Sequence, residues 1–430
     1  MVARSIGRWA LTGVMINSVI ASGIFGVPGE LLRLLGRMSP WAFVLGALAS
    51  GLIVACFVEV AAQFAESGGP YLYVRTTFGR LPGIAAGWFT VLTPVAAAAA
   101  QANLFVNYLA GLHDSWADGL RRGVAICVLL GVIAGINLRG AAAGKWLSSV
   151  LVIAKLLPLL GLIALGLWLM PYAAKPAPTP AAPPTAWFTA ALLATYGFGG
   201  FEDALAVTGE VRRPGRSAAF ALVASLFTCT IVYVLVQWVS SQFLDPGTVG
   251  QRPLASLAVV LFGVRGTVLV TVAAMVSTAG AISATVLAIP RLLAAMGQHG
   301  DLPASFARTR GGGQAPFLTT ILVGLIIALL ALSGTFRWAL AVTAGSGLVV
   351  AAGVCAALLR LRALHPEGVV LRIPAGNSIA VAALMVIAML LLQLELWQAA
   401  ALGGTALIAL VNWLLVCNPH KCKRLGVHGQ

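Results

Sequence analysis

Ala21-Ser22-Gly23-Ile24-Phe25-Gly26 sits inside an apolar run that starts near Trp9 and ends near Leu35. Such a run is long enough to cross a bilayer, which takes ~20 residues. Its middle, however, holds Gly23 and Gly26, and Pro28 and Gly29 follow closely. Glycine weakens a helix by roughly 1 kcal/mol relative to alanine, and proline removes a backbone donor. A helix broken at membrane depth leaves N–H and C=O groups unpaired, which is tolerated only where the gap faces protein or a water-filled cavity. A half-helix N-terminus beside the gap favours a carboxylate. The stretch therefore reads as a candidate solute site. A simple kink, or a close helix–helix contact through small residues, is the competing reading.

The chain around it has 430 residues, of which 60% are hydrophobic and 9% charged. A soluble surface wants roughly 25–35% charged residues, so the composition points to an all-α polytopic membrane protein. A separate cleavable signal peptide is not expected, because the first span carries the glycine break and continues into the core. The formal charge of +15 does not point to nucleic acid. The basic residues sit in short loops between apolar segments, where they set orientation. The cysteines lie mostly within apolar segments and read as small core residues. Cys417, His420 and Cys422 imitate a metal tract but belong to a basic tail, so neither metal nor cofactor is expected.

Hydropathy places about twelve spans, at about 9–35, 40–64, 82–111, 120–136, 145–170, 186–210, 217–243, 264–296, 316–333, 337–361, 374–394 and 397–416. An even number puts both termini on one side. The loops there, with Arg360 and Arg362 among their residues, carry roughly 18 basic residues against roughly 8 opposite, which predicts cytoplasmic N- and C-termini. Pro171–Thr185 (PYAAKPAPTPAAPPT) is a proline-stiffened linker expected outside. Span six is broken too, by Tyr196-Gly197-Phe198-Gly199-Gly200-Phe201-Glu202-Asp203. Breaks at corresponding positions of two halves are the sequence pointer to inverted repeats with a midplane binding site. The predicted units are a first repeat over 1–170, the linker 171–185, a second repeat over 186–362, a helix pair over 363–416 and a basic tail, 417–430.

Several stretches resemble the amino acid–polyamine–organocation (APC) superfamily. ASGIFGVPG (Ala21–Gly29) is similar to that family's first-span break, and SGGPYLYVRTTFG (Ser67–Gly79) to its loop after span two. YGFGGFE (Tyr196–Glu202) followed by GEVRRP (Gly209–Pro214) resembles its broken sixth span and exit loop, and PRLLAAMGQHGDLP (Pro290–Pro303) the end of its eighth. The resemblance implies the LeuT-type fold, a 5+5 inverted repeat plus two extra helices, alternating access, and amino acids or related amines as substrates. It implies that Ser22 and the N–H groups of Gly23 and Ile24 hold a substrate carboxylate. The carbonyls of Val19, Tyr196 and Gly199 would then meet the ammonium, a polarity that suits a zwitterion. Ala21 stands where many relatives have glycine. Tyr196, with Phe198 beside it, occupies the place of an aromatic gate.

Ionisable residues inside spans are costly and suggest function. Lys155, in VLVIAKLLPLL, lies about ten residues into span five, too deep to snorkel readily. It resembles the lysine that stands near the sodium position of sodium-coupled relatives, with Ser277, Thr278 and Ser283 of span eight as expected neighbours. Glu202 matches the family's carboxylate beside the sixth-span break and is expected to carry a proton or orient the gap. Asp203 would cap the second half-helix. Glu59 and Gln63 are expected to pair with polar groups in the bundle. Asn17 either lines the cavity or makes a buried hydrogen bond. Thr90, Thr93 and Pro94 would border a side-chain pocket.

These readings converge on a secondary transporter of neutral amino acids in a bacterial inner membrane. It would be Na⁺-independent and either proton-coupled or exchanging, its partners being an amino acid, protons and the lipid bilayer. A polyamine or basic amino acid antiporter and an amino acid exporter are the alternatives. An intramembrane enzyme would need a nucleophile–base pair or metal ligands within spans. All the histidines (His113, His299, His365, His420, His428) instead fall in loops or the tail. A channel or a nutrient sensor is the remaining class, and sensors of this fold usually carry soluble extensions.

Overall fold

A computed structural model describes residues 8–20, 23–64, 69–116, 119–138, 145–172, 182–201, 214–303, 306, 317–364 and 372–416. The regular structure among the described residues is helical, without a strand. In chain order the helices are α1 (Arg8–Val19), α2 (Gly23–Leu35), α3 (Pro40–Ala61), α4 (Gly69–Phe78), α5 (Arg80–Leu109), α6 (Gly119–Leu138) and α7 (Lys145–Leu169). There follow α8 (Pro184–Phe198), α9 (Pro214–Phe243), α10 (Pro253–Gln298), α11 (Phe317–Ser333), α12 (Phe336–Leu364), α13 (Gly376–Leu391) and α14 (Leu396–Val416).

Eight of these helices are long and apolar enough to cross a membrane among the described residues, or nine if the bent pair α1–α2 is one span. Leu318–Ser333 and Gly376–Leu391 are apolar but shorter. Their surroundings differ in a way that locates the centre. The apolar windows of α3, α5 and α12 are 56%, 61% and 67% buried within the protein, whereas those of α6 and α14 are 22% buried. On α6, Leu120, Val124, Val128, Val132 and Ile136 form an exposed apolar stripe at four-residue spacing. An exposed stripe of this kind needs an apolar solvent, and the chain is a multi-pass membrane protein. α5 runs through the middle of the bundle against α12, α10 and α4, while α3 joins α8 and α9 beside it.

Two segments depart from the expected layout. Ser67–Gly79, expected as a loop, contains α4, whose Arg75, Thr76 and Thr77 interrupt any apolar run. The stretch before the expected span eight is also helical: α10 begins at Pro253 and is kinked at Gly263, where φ is 68° and ψ −167°. Glycine adopts that left-handed φ without a Cβ clash, so the chain turns there and resumes a helix at the depth that hydropathy marks.

Two ion clusters tie the bundle together. Glu59 on α3 is fully buried and receives Arg362 Nε and Nη2, each at 2.6 Å, and the Ile373 N–H at 2.9 Å. Arg362, expected in a loop, is thus a buried partner of α3, because a carboxylate inside the bundle has to be matched by a fork of donors. Asp301, just beyond α10, takes Arg75 Nε at 2.8 Å, Arg80 Nε at 2.9 Å and the Tyr71 hydroxyl, and its own carbonyl accepts from Asn412 Nδ2 at 2.8 Å. Burial, then the hydrogen bond and negative charge of Asp301, push the Tyr71 phenol above its ordinary range.

Candidate functional site

Both breaks occur where the glycines predict them. α1 ends at Val19 and α2 starts at Gly23, bent by 45°. α8 stops at Phe198, and Gly199 continues in extended conformation (φ −67°, ψ 168°) into Gly200 at φ 94°. The two breaks touch. A Cβ built on Gly23 would lie 2.9 Å from Gly197 Cα, and one on Gly200 would lie 2.9 Å from the Ser18 carbonyl oxygen. Only hydrogen fits at those crossings, so the glycines serve close approach as well as helix breaking.

The ends carry opposite polarity. Gly23 and Ile24 open the first turn of α2, where N–H groups have no intrahelical acceptor and the dipole is positive. Val19 closes α1, and its carbonyl already accepts a hydrogen bond from the Tyr233 hydroxyl at 2.8 Å. The Tyr196 carbonyl receives the Gly199 N–H at 3.2 Å. Tyr108 caps the Phe25 carbonyl at 2.9 Å, and Gln237 Nε2 reaches the Pro28 carbonyl at 3.2 Å. Buried tyrosines and an amide therefore satisfy carbonyls around the interruption, as a low-dielectric interior requires.

Between the breaks lies a cavity of about 240 Å³. Val19, Gly23, Tyr196, Phe198 and Gly199, all picked out in the sequence, line it. So do Asn17, Thr90, Thr93, Pro94 and Lys155. The side chain of Ile24 is instead wholly buried in the core. Lys155 is buried, not at an interface, and its Nζ donates to Asn17 Oδ1 at 3.1 Å. Asn17 thus lines the cavity and accepts a partly buried hydrogen bond.

Two of the expected span-eight neighbours of Lys155 make hydrogen bonds to other groups. Ser283 turns to α6, where its Oγ accepts from Asn137 Nδ2 at 3.0 Å. Thr278 gives its hydroxyl hydrogen to its own helix, at the carbonyls of Ala274 and Met275. Helix phase decides this: α10 presents Gly280, Ala281, Ala284 and Thr285 to the cavity, one face at helical spacing. Ala21, Ser22, Glu202 and Asp203 lie outside the described residues. The Cys417–His420–Cys422 tract lies outside them too, and no group of metal-ligating side chains occurs among those described.

Tyr233, Tyr108, Gln101 and Thr195 were not singled out in the sequence. Gln101 and Thr195 line the cavity, and the two tyrosines cap carbonyls of the break. A hydroxyl or amide in mid-span is the one signal that marks such residues, and it does not say which carbonyl they meet.

Comparison with known proteins agrees with this architecture. The family model described as amino acid permease matches residues 6–414. The serine/threonine exchanger of Bacillus subtilis is 29% identical over 309 residues, covering 70% of this chain and 69% of that protein. An uncharacterized transporter of Mycobacterium tuberculosis is 27% identical over 329 residues, covering 70% and 68%. The methylthioribose transporter of Bacillus subtilis is 27% identical over 443 residues, covering 96% and 92%. With a family model spanning nearly its whole length and helix ends meeting at a cavity, the chain belongs to the amino acid permease family of the APC superfamily.

Proposed function

We propose that the protein is a secondary transporter that carries a small neutral amino acid by alternating access. The observation that carries this reading is the meeting of the two helix breaks at one cavity, with a positive helix start at Gly23 and carbonyl ends at Val19 and Phe198. A zwitterion fits that polarity: its carboxylate meets Ser22 and the N–H groups of Gly23 and Ile24, and its ammonium faces the carbonyls of Val19, Tyr196 and Gly199. The volume, about 240 Å³, lies just below the ~300–1,000 Å³ typical of sites for larger ligands. Tyr196 closes over the substrate. No described lining residue is Asp or Glu, while Lys155 adds a positive charge, which favours a neutral substrate over a diamine or a basic amino acid.

The layout we infer is the LeuT-type arrangement, two inverted five-helix repeats plus two helices, in a bacterial inner membrane with both termini in the cytoplasm. Lys155 stands in for a bound sodium ion, so transport is Na⁺-independent and coupled to protons or to exchange, with Glu202 as the second proton-carrying group. Serine and threonine, the amino acids that the Bacillus exchanger is named for, support a small neutral substrate. The methylthioribose transporter matches over nearly the whole chain, which makes a neutral polyhydroxylated sugar the competing reading.

Purified protein in proteoliposomes decides between them. Labelled neutral, basic and acidic amino acids, a diamine and methylthioribose are offered with and without a pH gradient and with and without Na⁺. Saturable uptake of a neutral amino acid, unaffected by Na⁺, is the expected result. Uptake of methylthioribose alone, or flux that rises without saturating, refutes the proposal.

A further inference from the structure

Thr90, Thr93, Ala97 and Gln101 succeed one another along a single face of α5 and form one wall of the cavity. Gln101 is 5% exposed, and its Oε1 is buried with no hydrogen-bond partner among the described residues. Buried side-chain oxygens are nearly always paired, so Gln101, one of the residues that line the cavity, carries an acceptor without its donor. The hydroxyls around the same cavity are in a different state. Thr90 donates to the Ala86 carbonyl at 2.7 Å, Thr93 to Phe89 at 2.9 Å and Thr343 to Ala339 at 2.8 Å. Each has a carbonyl of its own helix in reach of its one hydrogen, Thr93 also having Ser346 Oγ at 3.0 Å, so their hydrogens have protein acceptors and their lone pairs are left for the cavity. That side of the cavity is rich in acceptors and short of hydrogens.

We propose that Gln101 is the specificity-determining residue for the substrate side chain, and that it selects a small neutral amino acid bearing a hydroxyl. The assignment rests on the amino acid reading given above. A hydroxyl is donor and acceptor at one atom, and the glutamine amide is the complementary pair at one tip. The substrate hydroxyl gives its hydrogen to Oε1 and takes one from Nε2. A methyl group in the same place does neither and leaves Oε1 as open as before. A site built around a polar contact discriminates against the analogue that lacks it far more strongly than an apolar pocket discriminates by size.

Threonine and valine differ by a hydroxyl in place of a methyl at almost equal volume, and they form the test. In proteoliposomes the wild-type protein is expected to prefer threonine to valine by about tenfold or more in kcat/KM. Gln101→Met, which keeps the length of the side chain and removes both polar groups, is expected to bring the ratio to within about threefold. It does so by slowing threonine while valine uptake persists, and that persisting uptake reports a folded carrier. Gln101→Asn, which keeps the amide but withdraws it by one methylene, is expected to give an intermediate ratio. Equal handling of threonine and valine by the wild type overturns the proposal, and this measurement needs no variant. An unchanged ratio in Gln101→Met overturns it as well. Uptake of no amino acid, with uptake of methylthioribose or a diamine, overturns the amino acid reading itself, and uptake of another amino acid but of neither threonine nor valine overturns the proposal for Gln101.

Discussion

Gly23→Ala tests whether the two breaks truly bear on one another. The added methyl carbon would lie 2.9 Å from Gly197 Cα and 3.6 Å from Gly197 N. Carbon atoms pack best at ~3.5–4.0 Å, so the substitution needs roughly 0.6 Å or more of relief. The obstructing atom is backbone, and no side-chain rotation can yield; α2 must move against α8. Overpacking of this kind costs ~1–3 kcal/mol. Expressed wholly in substrate affinity, that range corresponds to about 5- to 150-fold.

Gly13→Ala, on α1 of the same expected span, is the matched control. Nothing lies within 4 Å of a Cβ there, and alanine gains up to ~1 kcal/mol over glycine in a helix interior. The two substitutions thus have opposite signs. Thermal melting in detergent and concentration-dependent uptake in proteoliposomes are measured on both. Gly13→Ala should melt at or above the wild-type temperature with unaltered uptake, and Gly23→Ala should melt lower with a raised KM. If Gly23→Ala transports with the wild-type KM and melts as high as Gly13→Ala, the two broken ends are not in contact and the reasoning fails.

Four further outcomes are expected. Arg362→Met strands the buried Glu59 carboxylate and should cost ~3–5 kcal/mol, while Glu59→Leu with Arg362→Met should recover most of it; equal melting losses in the single and double variants would contradict a paired carboxylate. Asp301→Asn should cost roughly 1–3 kcal/mol, less than a wholly buried pair, because Arg75 and Arg80 keep 29% and 33% of their side-chain surface exposed. The Tyr71 phenol beside it titrates above its ordinary value, so the folded protein holds a proton that the unfolded chain loses near pH 10. Its stabilisation is therefore complete below about pH 10 and declines only as the pH rises through the folded value. A fall in melting temperature between pH 6 and 9 that Tyr71→Phe abolishes would disprove that sign. Lys155→Ala removes the donor to Asn17 and should lower uptake or cancel its response to a pH gradient; full uptake with the same pH response would take Lys155 out of the mechanism.

The readable part of this protein is the part governed by local rules. Gly23 and Gly199 with Gly200 announce helix ends because glycine and an unpaired backbone are costly inside an apolar run, and the helices stop there. Lys155 announces burial in the same way, since a charge ten residues into a span has no cheap escape. Ser283 shows the limit. Its hydrogen bond from Asn137 on α6 depends on how α10 is rotated, and rotation is set by neighbours that sequence spacing does not name.

By itself, then, the sequence determined that the chain crosses a membrane repeatedly, that two of its helices break, and which family it resembles. Hydropathy, glycine and short motifs are properties of contiguous residues. Tertiary structure alone decided that the breaks press against each other through Gly23 and Gly197, that Tyr233 caps Val19, that Arg362 leaves the expected loop to meet Glu59, and that Gln101 lines the cavity with its amide oxygen unpartnered among the described residues. Each joins residues far apart in the chain, and in a low-dielectric interior a polar group's partner is settled by which helix faces happen to meet.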